Sequence, residues 1–228
     1  MADRSTPRIS SRKQPKQARS TQLVSDILTA AAQVLARDGV HRFTTARVAE
    51  KAGVSVGSLY QYFPNKEAIL FRLQFDEWQQ TTGLIERILT DPSLPPFDRL
   101  RKVIKEFFRT ECEEAEMRVA LGDAQPFYRD APEASEHRRK GRATLLAFLE
   151  EAIPTVSAGE RTMAADLIAM TMSAIGEAVS ADGRSVLEVE AHASAVGEMF
   201  CAYLDSLANP RSRSDRAPEH GDAVSDLR

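Results

Sequence analysis

The stretch FTTARVAEKAGVSVGSLYQYFPNKEAIL, residues 43–70, decides the fold of this chain. Thr44 and Ser55 are residue types that cap the first turn of a helix, and each precedes a short helix-like pattern. The pattern predicts one helix over 45–51 and a second over 56–63, with a tight Ala-Gly-Val turn between them. Two short helices joined by a tight turn are typical of a helix-turn-helix.

Further helices are predicted on both sides of this stretch. Upstream, apolar residues recur every three or four positions over residues 19–38, and Gly39 follows as a stop signal. Downstream, Asn65 can cap a helix that continues to Leu89, where an Asp-Pro pair ends it. At 1.5 Å per residue that helix is about 38 Å long, enough to link two functional regions.

The rest of the chain also has helical patterns. Apolar residues mark a helix over 133–153, and Ser157 and Ser185, each followed three residues later by Glu, form capping boxes that open helices over 158–181 and 186–207. No strand-period alternation of useful length occurs. The sequence therefore predicts an all-α fold.

Charge is distributed unevenly along the 228 residues. Residues 1–66 contain 11 lysines and arginines against 4 aspartates and glutamates, a net charge of +7. Residues 67–228 contain 19 against 29, a net charge of −10. A basic head on an acidic body is expected of a protein that binds the phosphate backbone of a nucleic acid. The alternative is a solvated basic arm with no partner.

Other function classes find little support in the sequence. Cys112 and Cys201 are far apart, the four histidines share no metal-ligand spacing, and no catalytic or nucleotide-binding motif occurs. We therefore assign no metal site, no cofactor and no enzymatic activity. No run of about 18 uncharged apolar residues is present, so we expect no membrane span and a cytoplasmic location.

One face of the two short helices is suited to DNA. Apolar side chains can pack these helices against the first helix, while small or polar side chains remain on the other face. Small side chains let a helix end enter the major groove, and hydroxyl and ammonium groups suit phosphates. The candidate DNA-binding residues are Thr45, Ser55, Val56, Gly57, Ser58, Tyr60, Gln61, Tyr62 and Lys66.

Residues 19–70 resemble the tetracycline-repressor (TetR) family of transcriptional regulators. The likeness is carried by the first-helix pattern ILTAAAQVLARDG, by the block from residues 44–70, and by their position near the start of a chain of this length. The resemblance implies nine or ten helices per subunit and an effector pocket in the body. It also implies a homodimer built on a four-helix bundle from the last two long helices of each partner.

The resemblance also implies roles for individual residues. Thr45 matches a phosphate-contacting position, and Tyr60, Tyr62 and Lys66 match other contacts to the DNA backbone. Four residues match the positions nearest the bases. These are Val56, Gly57, Ser58 and Gln61. The alternative for the two tyrosines is that they only cap the core of the small domain.

Together, pattern and resemblance divide the chain into four parts. We expect a flexible basic arm over 1–18, a helix-turn-helix DNA-binding domain over 19–66, a helical effector-binding and dimerisation domain over 67–208, and a disordered tail over 209–228. In the arm, basic residues could follow phosphates or enter a minor groove, or remain solvated.

Two sets of body residues are candidates for the remaining functions. Aromatic and sulfur-containing side chains suit an apolar effector pocket, although most such residues are ordinary core. The candidates for the pocket are Phe71, Phe75, Trp78, Phe107, Phe108, Cys112, Phe127, Phe148 and Met170. The candidates for the dimer interface, whose alternative is packing within one subunit, are Leu167, Ala174, Ala178, Val196, Phe200 and Leu204.

An acidic cluster in the body could attract a cation, but a solvated helix face is the favoured interpretation. It comprises Glu111, Glu113, Glu114 and Glu116.

The leading hypothesis is a ligand-responsive repressor that binds a palindromic double-stranded DNA operator as a homodimer and is released by a small-molecule effector. Two alternatives stay open: an architectural DNA binder without an effector, and an all-helical enzyme whose small domain is vestigial.

Overall fold

The computed structural model describes residues 18–127, 131–181 and 184–210. These ranges form helices and turns and contain no strand, so the predicted all-α class is confirmed. The predicted arm lies almost wholly outside the described residues, as does nearly all of the predicted tail. The α-helices are α1 (Ala18–Arg42), α2 (Thr45–Lys51), α3 (Val56–Tyr60), α4 (Lys66–Leu89), α5 (Pro96–Glu113), α6 (Ala115–Ala124), α7 (Pro132–Ala152), α8 (Ala158–Ala181) and α9 (Val186–Ala208).

One helix end agrees with the sequence prediction and one differs from it. Regular helix is interrupted at Gly39, which has φ at 70° and ψ at 170°, and a short helical segment follows this kink to Arg42. A positive φ is accessible to glycine because it lacks a Cβ atom. α3 ends at Tyr60, earlier than predicted, because the following residues form a turn in which the Tyr62 amide donates to the Leu59 carbonyl at 3.0 Å.

The predicted capping boxes are confirmed. The Ser185 hydroxyl accepts from the Glu188 amide, and the Glu188 carboxylate accepts from the Ser185 amide at 2.9 Å. Ser157 and Glu160 make the same reciprocal pair, with both amide-to-side-chain distances at 3.3 Å. Each box satisfies two backbone donors that a helix start leaves without intrahelical partners, which fixes where α8 and α9 begin.

Apolar side chains form two separate cores. The first lies between α1, α2, α3, α6 and the starts of α4 and α7, and the second lies between α5, α8, α9 and the ends of α4 and α7. α4 contributes to both: Ile69 and Leu70 are buried in the first, and Ile88 and Leu89 in the second. The residues of α6 that join the first core are Ala120, Leu121 and Ala124.

A buried arginine joins three helices of the second core. Arg99 of α5 is 3% exposed, and its Nη1 donates to the backbone carbonyl of Leu89 at 2.5 Å. That carbonyl lies in the last turn of α4, where no helical donor follows. The Arg99 guanidinium also pairs with Glu151 of α7 and lies 5.8 Å from the ring centroid of Phe148. Sequence reasoning did not single out Arg99.

α8 is the most apolar helix by composition. Its segment Ala158–Ser180 has a mean hydropathy of 1.2 over the most apolar 18 residues, so by length and composition alone it could cross a membrane. One third of that window is buried inside the protein. The buried residues, among them Ala164, Ile168 and Met172, belong to the second core.

Replacing Arg99 by alanine should destabilise the body. Arg99→Ala leaves the Leu89 carbonyl buried without its donor, which costs about 1–3 kcal/mol. Urea unfolding measures the loss. The control is Arg139→Ala, which removes an exposed guanidinium paired with Glu136 and should change stability by no more than about 0.5 kcal/mol. Equal losses in the two variants would contradict this role of Arg99.

Candidate nucleic-acid interface and effector region

Side-chain caps and a glycine turn set the positions of α2 and α3. The Thr44 hydroxyl accepts from the Arg47 amide at 3.3 Å, and the Ser55 hydroxyl accepts from the Ser58 amide at 3.0 Å. Between the two helices, Gly53 has φ at 67°. A side chain at that φ would be strained, so glycine permits the tight turn that sets the angle between the helices.

Most of the predicted DNA-binding residues are accessible. Val56 and Tyr60 are each 38% exposed, and Gly57 and Gln61 are exposed as well. Hydrogen bonds link this surface internally. The Thr45 hydroxyl lies 3.1 Å from the Tyr60 hydroxyl, and the Ser55 and Ser58 hydroxyls are 2.8 Å apart.

Tyr62 is different from the other predicted contacts. It is 6% exposed and packs in the first core with α1 and α2 side chains. This burial favours the alternative interpretation, that Tyr62 caps the core of the head. Tyr60 is the last residue of α3, whereas Tyr62 lies in the turn that follows, and that turn directs its side chain into the core.

The predicted pocket residues are divided among three environments. Phe71 is buried in the first core, and Phe108 and Phe148 are buried in the second. Met170 is 70% exposed on α8, so its assignment to the pocket is wrong: it lies on the opposite side of the helix from the buried Met172. The other predicted residues are half-buried at the edges of the two cores. They are Phe75, Trp78, Phe107, Cys112 and Phe127.

A polar cluster occupies the junction of α4, α5 and α6. Arg118 of α6 is 16% exposed, and its Nη1 lies 2.7 Å from a carboxylate oxygen of both Glu77 of α4 and Glu111 of α5. Its Nη2 lies 3.4 Å from Glu114. The interpretation of Glu111 as part of a solvated face is wrong, because Glu111 is 8% exposed.

Burial shifts the acidity of this cluster. Desolvation raises the pKa of Glu77, and the nearby Arg118 guanidinium opposes that rise. Desolvation likewise raises the pKa of Glu111, again against the effect of Arg118. A single guanidinium therefore compensates two buried carboxyl groups only in part. No sequence signal identified the cluster, since Glu77, Glu111 and Arg118 come together only through the packing of three helices.

Aromatic groups lie along the same part of the body. Trp78 of α4 stacks on His137 of α7 with centroids 5.2 Å apart, and the His137 Nε2 lies 3.1 Å from the Thr82 hydroxyl. Burial lowers the pKa of His137, and the nearby positive charges of Lys140 and Arg138 lower it further.

Within the described ranges, no three histidine, cysteine, aspartate or glutamate side chains come together in a way that could hold a metal ion.

The predicted dimer residues lie on two different faces. Val196, Phe200 and Leu204 of α9 are buried in the second core, so their assignment to a dimer interface is wrong. Packing of α9 against α5 within the same subunit covers them. Leu167, Ala174 and Ala178 of α8 are exposed. An apolar stripe, defined by exposed residues of α8 and α9, comprises Met163, Leu167, Met170, Ala174, Ala178, Leu187, Ala191, Ala195 and Met199.

Comparison with known proteins agrees with this architecture. Residues 27–73 match the model described as "Bacterial regulatory proteins, tetR family", and residues 95–207 match "Tetracyclin repressor-like, C-terminal domain". The fold and the helix-turn-helix define a transcriptional regulator with a DNA-binding head and a helical body. The chain belongs to the TetR family.

Two curated relatives match part of the chain. The fatty acid metabolism regulator protein of Bacillus subtilis is 40% identical over 65 residues, which cover 28% of this chain and 32% of that protein. The nucleoid occlusion factor SlmA of Pectobacterium carotovorum is 42% identical over 81 residues, 35% of this chain and 40% of that protein. These alignments thus span only a third to two fifths of the relatives' length.

Solved structures share the fold over most of the chain. A TetR-family regulator of Mesorhizobium loti superposes with a TM-score of 0.66 at 21% identity, covering 82% of this chain and 98% of that one. FadR of Bacillus subtilis, solved in complex with stearoyl-CoA, superposes with a TM-score of 0.62 at 22% identity, covering 78% and 97%. At these identities the likeness concerns the fold alone.

The polar cluster should make stability depend on pH. The raised pKa of Glu111 stabilises the folded state below the ordinary value of 4.5, and this contribution is lost as the pH rises through the folded-state pKa. Glu111→Gln has no such titration. We therefore expect the variant to gain stability relative to the wild type as the pH rises from about 4 to about 7, measured by urea unfolding.

The control for this prediction is Glu113→Gln, which removes the same charge from an exposed position of α5. A pH trend of equal size in both variants would contradict the assignment of the effect to burial.

Proposed function

We propose that this protein is a ligand-responsive transcriptional repressor that binds a palindromic operator as a homodimer and is released by a small-molecule effector. The observation that carries the proposal is the accessible surface of α2, α3 and the start of α4. There, small side chains at Val56, Gly57 and Ser58 adjoin the hydroxyls of Thr45 and Tyr60. Its proposed location is the cytoplasm, and its role is that of a regulator rather than an enzyme.

The proposed interface separates positioning from base reading. The hydroxyls of Thr45 and Tyr60 and the ammonium of Lys66 suit phosphates, which fix register without reading sequence. Val56 and Gly57 have no side-chain hydrogen-bonding groups, so we assign base reading to Ser58, to Gln61, to contact with a thymine methyl group and to DNA shape. The net charge of +7 on residues 1–66 supplies attraction to the duplex independent of sequence.

The apolar stripe supports the homodimer. Its residues recur at three- and four-residue intervals, so on each helix they share one face that the protein's own cores leave uncovered. A contiguous exposed apolar face of this kind marks a protein contact. Pairing α8 and α9 with the same helices of a second copy covers it, and two heads related by a two-fold axis read a palindrome.

The body supports the effector site. Phe75, Trp78 and Phe107 are half-buried beside the polar cluster, and apolar walls with a few polar groups are typical of small-molecule sites. The stearoyl chain bound by the Bacillus subtilis regulator has the apolar surface that such walls accept. The two partly compensated carboxyl groups of Glu77 and Glu111 disfavour an anionic group beside them, so we propose an effector that is apolar and uncharged or cationic there.

The effector acts by shifting a population. The free dimer samples separations of its two recognition helices that fit the operator, and the effector favours a separation that does not. A ligand shifts this equilibrium only through its different affinities for the two states, and moving a ratio of 1:99 to 99:1 takes roughly 5.5 kcal/mol.

The first experiment is selection of DNA fragments by the purified chain, followed by a salt titration on the enriched fragment. An enriched palindrome supports the specific regulator. Salt-sensitive binding without enrichment indicates an architectural DNA binder instead. Absence of binding at low salt overturns the proposal.

Lys66→Ala should weaken binding to every DNA sequence. Loss of one phosphate contact removes one released counterion, so the slope of log affinity against log salt concentration should decrease by about one. Fluorescence anisotropy on specific and random duplexes measures both effects. The control is Lys102→Ala on the exposed side of α5 in the body, which should leave the slope unchanged. An unaltered slope for Lys66→Ala would remove Lys66 from the interface.

A charge on the apolar stripe should dissociate the dimer. Met170→Glu places a carboxylate at a position that is 70% exposed in the single chain and buried in the proposed dimer. We expect sedimentation velocity to show a folded monomer with weakened operator binding. Val119→Glu changes another exposed apolar residue, on α6, and should stay dimeric. Unchanged mass for Met170→Glu would place the dimer contact elsewhere.

A further inference from the structure

Lys66 occupies an electrostatically unfavourable position. It is the first residue of α4, next to the Asn65 cap whose side-chain oxygen accepts from the Ala68 amide at 2.8 Å. The amino end of a helix carries partial positive charge, which disfavours a cation there. Lys66 is nevertheless only half exposed, because its ammonium lies over the ring of Phe127, 5.8 Å from the centroid. The negative face of an aromatic ring attracts a cation at this distance.

The position of the Phe127 ring is fixed by the body of the protein. Phe127 ends the short 3-10 turn Gln125–Phe127 that follows α6, and its side chain packs against the first core. Leu121 and Ala124, one turn earlier, are buried in the same core. The ring is therefore held by packing against the head, although it belongs to a segment far from the helix-turn-helix in sequence.

We propose that Phe127 is a positioning residue for DNA binding: its ring holds the Lys66 ammonium where it meets a phosphate. This inference rests on the proposed function, in which Lys66 contacts the DNA backbone. An ammonium has three donors and keeps some of them free while it lies over a ring. A long side chain that the ring already restricts loses less rotamer freedom on binding, so the contact lowers the cost of the phosphate interaction.

A double-mutant cycle tests the role of Phe127. Phe127→Leu keeps an apolar side chain and removes the ring, and we expect it to weaken binding to the selected operator by about two- to five-fold. In a Lys66→Gln background the same change should have no effect, because the two residues act through one contact. Phe127→Tyr keeps the ring and should retain wild-type affinity. Far-ultraviolet circular dichroism and thermal unfolding confirm that each variant is folded.

A spectroscopic measurement tests the contact without DNA. An ammonium stem held over a ring has its methylene proton resonances shifted upfield by the ring current. We expect this shift for Lys66 in the free protein, identified by the loss of its signals in Lys66→Arg, and expect it to vanish in Phe127→Leu. A ring that packs in the core without lying beside Lys66 would not produce the shift.

The outcomes separate this inference from the function on which it rests. If the wild type binds no DNA, the proposed function fails and the role of Phe127 fails with it. If the wild type binds DNA but Phe127→Leu binds equally well, more tightly, or with the same loss in the Lys66→Gln background, only the positioning role is overturned. A missing ring-current shift overturns it as well.

Discussion

Two hydrophobic cores are joined by α4, and the rest of the structure depends on that connection. Ile69 and Leu70, near the start of α4, are buried in the first core, and Ile88 and Leu89, at its end, are buried in the second. Close-packed side chains resist continuous deformation. A helix whose two ends are both packed in a core therefore moves as a rigid element when one of those ends is displaced. In the proposed mechanism, a change in the packing of the body would reach Lys66, which begins α4 and lies close to α3.

The DNA-binding head is not an independent unit. α1, α2, α3 and the start of α4 form only a small unit, and domains of that size are only marginally stable alone. α6 supplies what is missing, since Leu121 and Ala124 complete the first core. The body therefore contacts the head through α4, α6 and the start of α7, and α4 and α6 are joined again where Arg118 pairs with Glu77.

Buried cations hold the helices of the body in register. Arg99 satisfies the end of α4 and joins it to α5 and α7, while Arg118 joins α4, α5 and α6. In both cases one guanidinium serves several acceptors, because its five donors project in a fixed planar arrangement. The excess of carboxyl groups around Arg118 leaves a buried site whose electrostatics differ from the basic surface of the head.

The sequence by itself determined the features that depend on neighbours along the chain. Caps, glycine stops and three-and-four spacing predicted the all-α class, the helix-turn-helix and most helix ends, because these interactions join residues no more than four apart. The sequence did not determine which side of each helix packs against another helix. Periodicity marks an apolar face but does not say what covers it.

Tertiary structure decided those cases. α5 covers Val196, Phe200 and Leu204 within the same subunit, Met170 faces outward, and Tyr62 turns into the core of the head. It also brought Glu77, Glu111 and Arg118 together, and Lys66 over Phe127, from segments that no local pattern connects. Contacts between distant segments follow from how whole helices pack against one another, and that packing is a property of the assembled fold rather than of any single stretch of sequence.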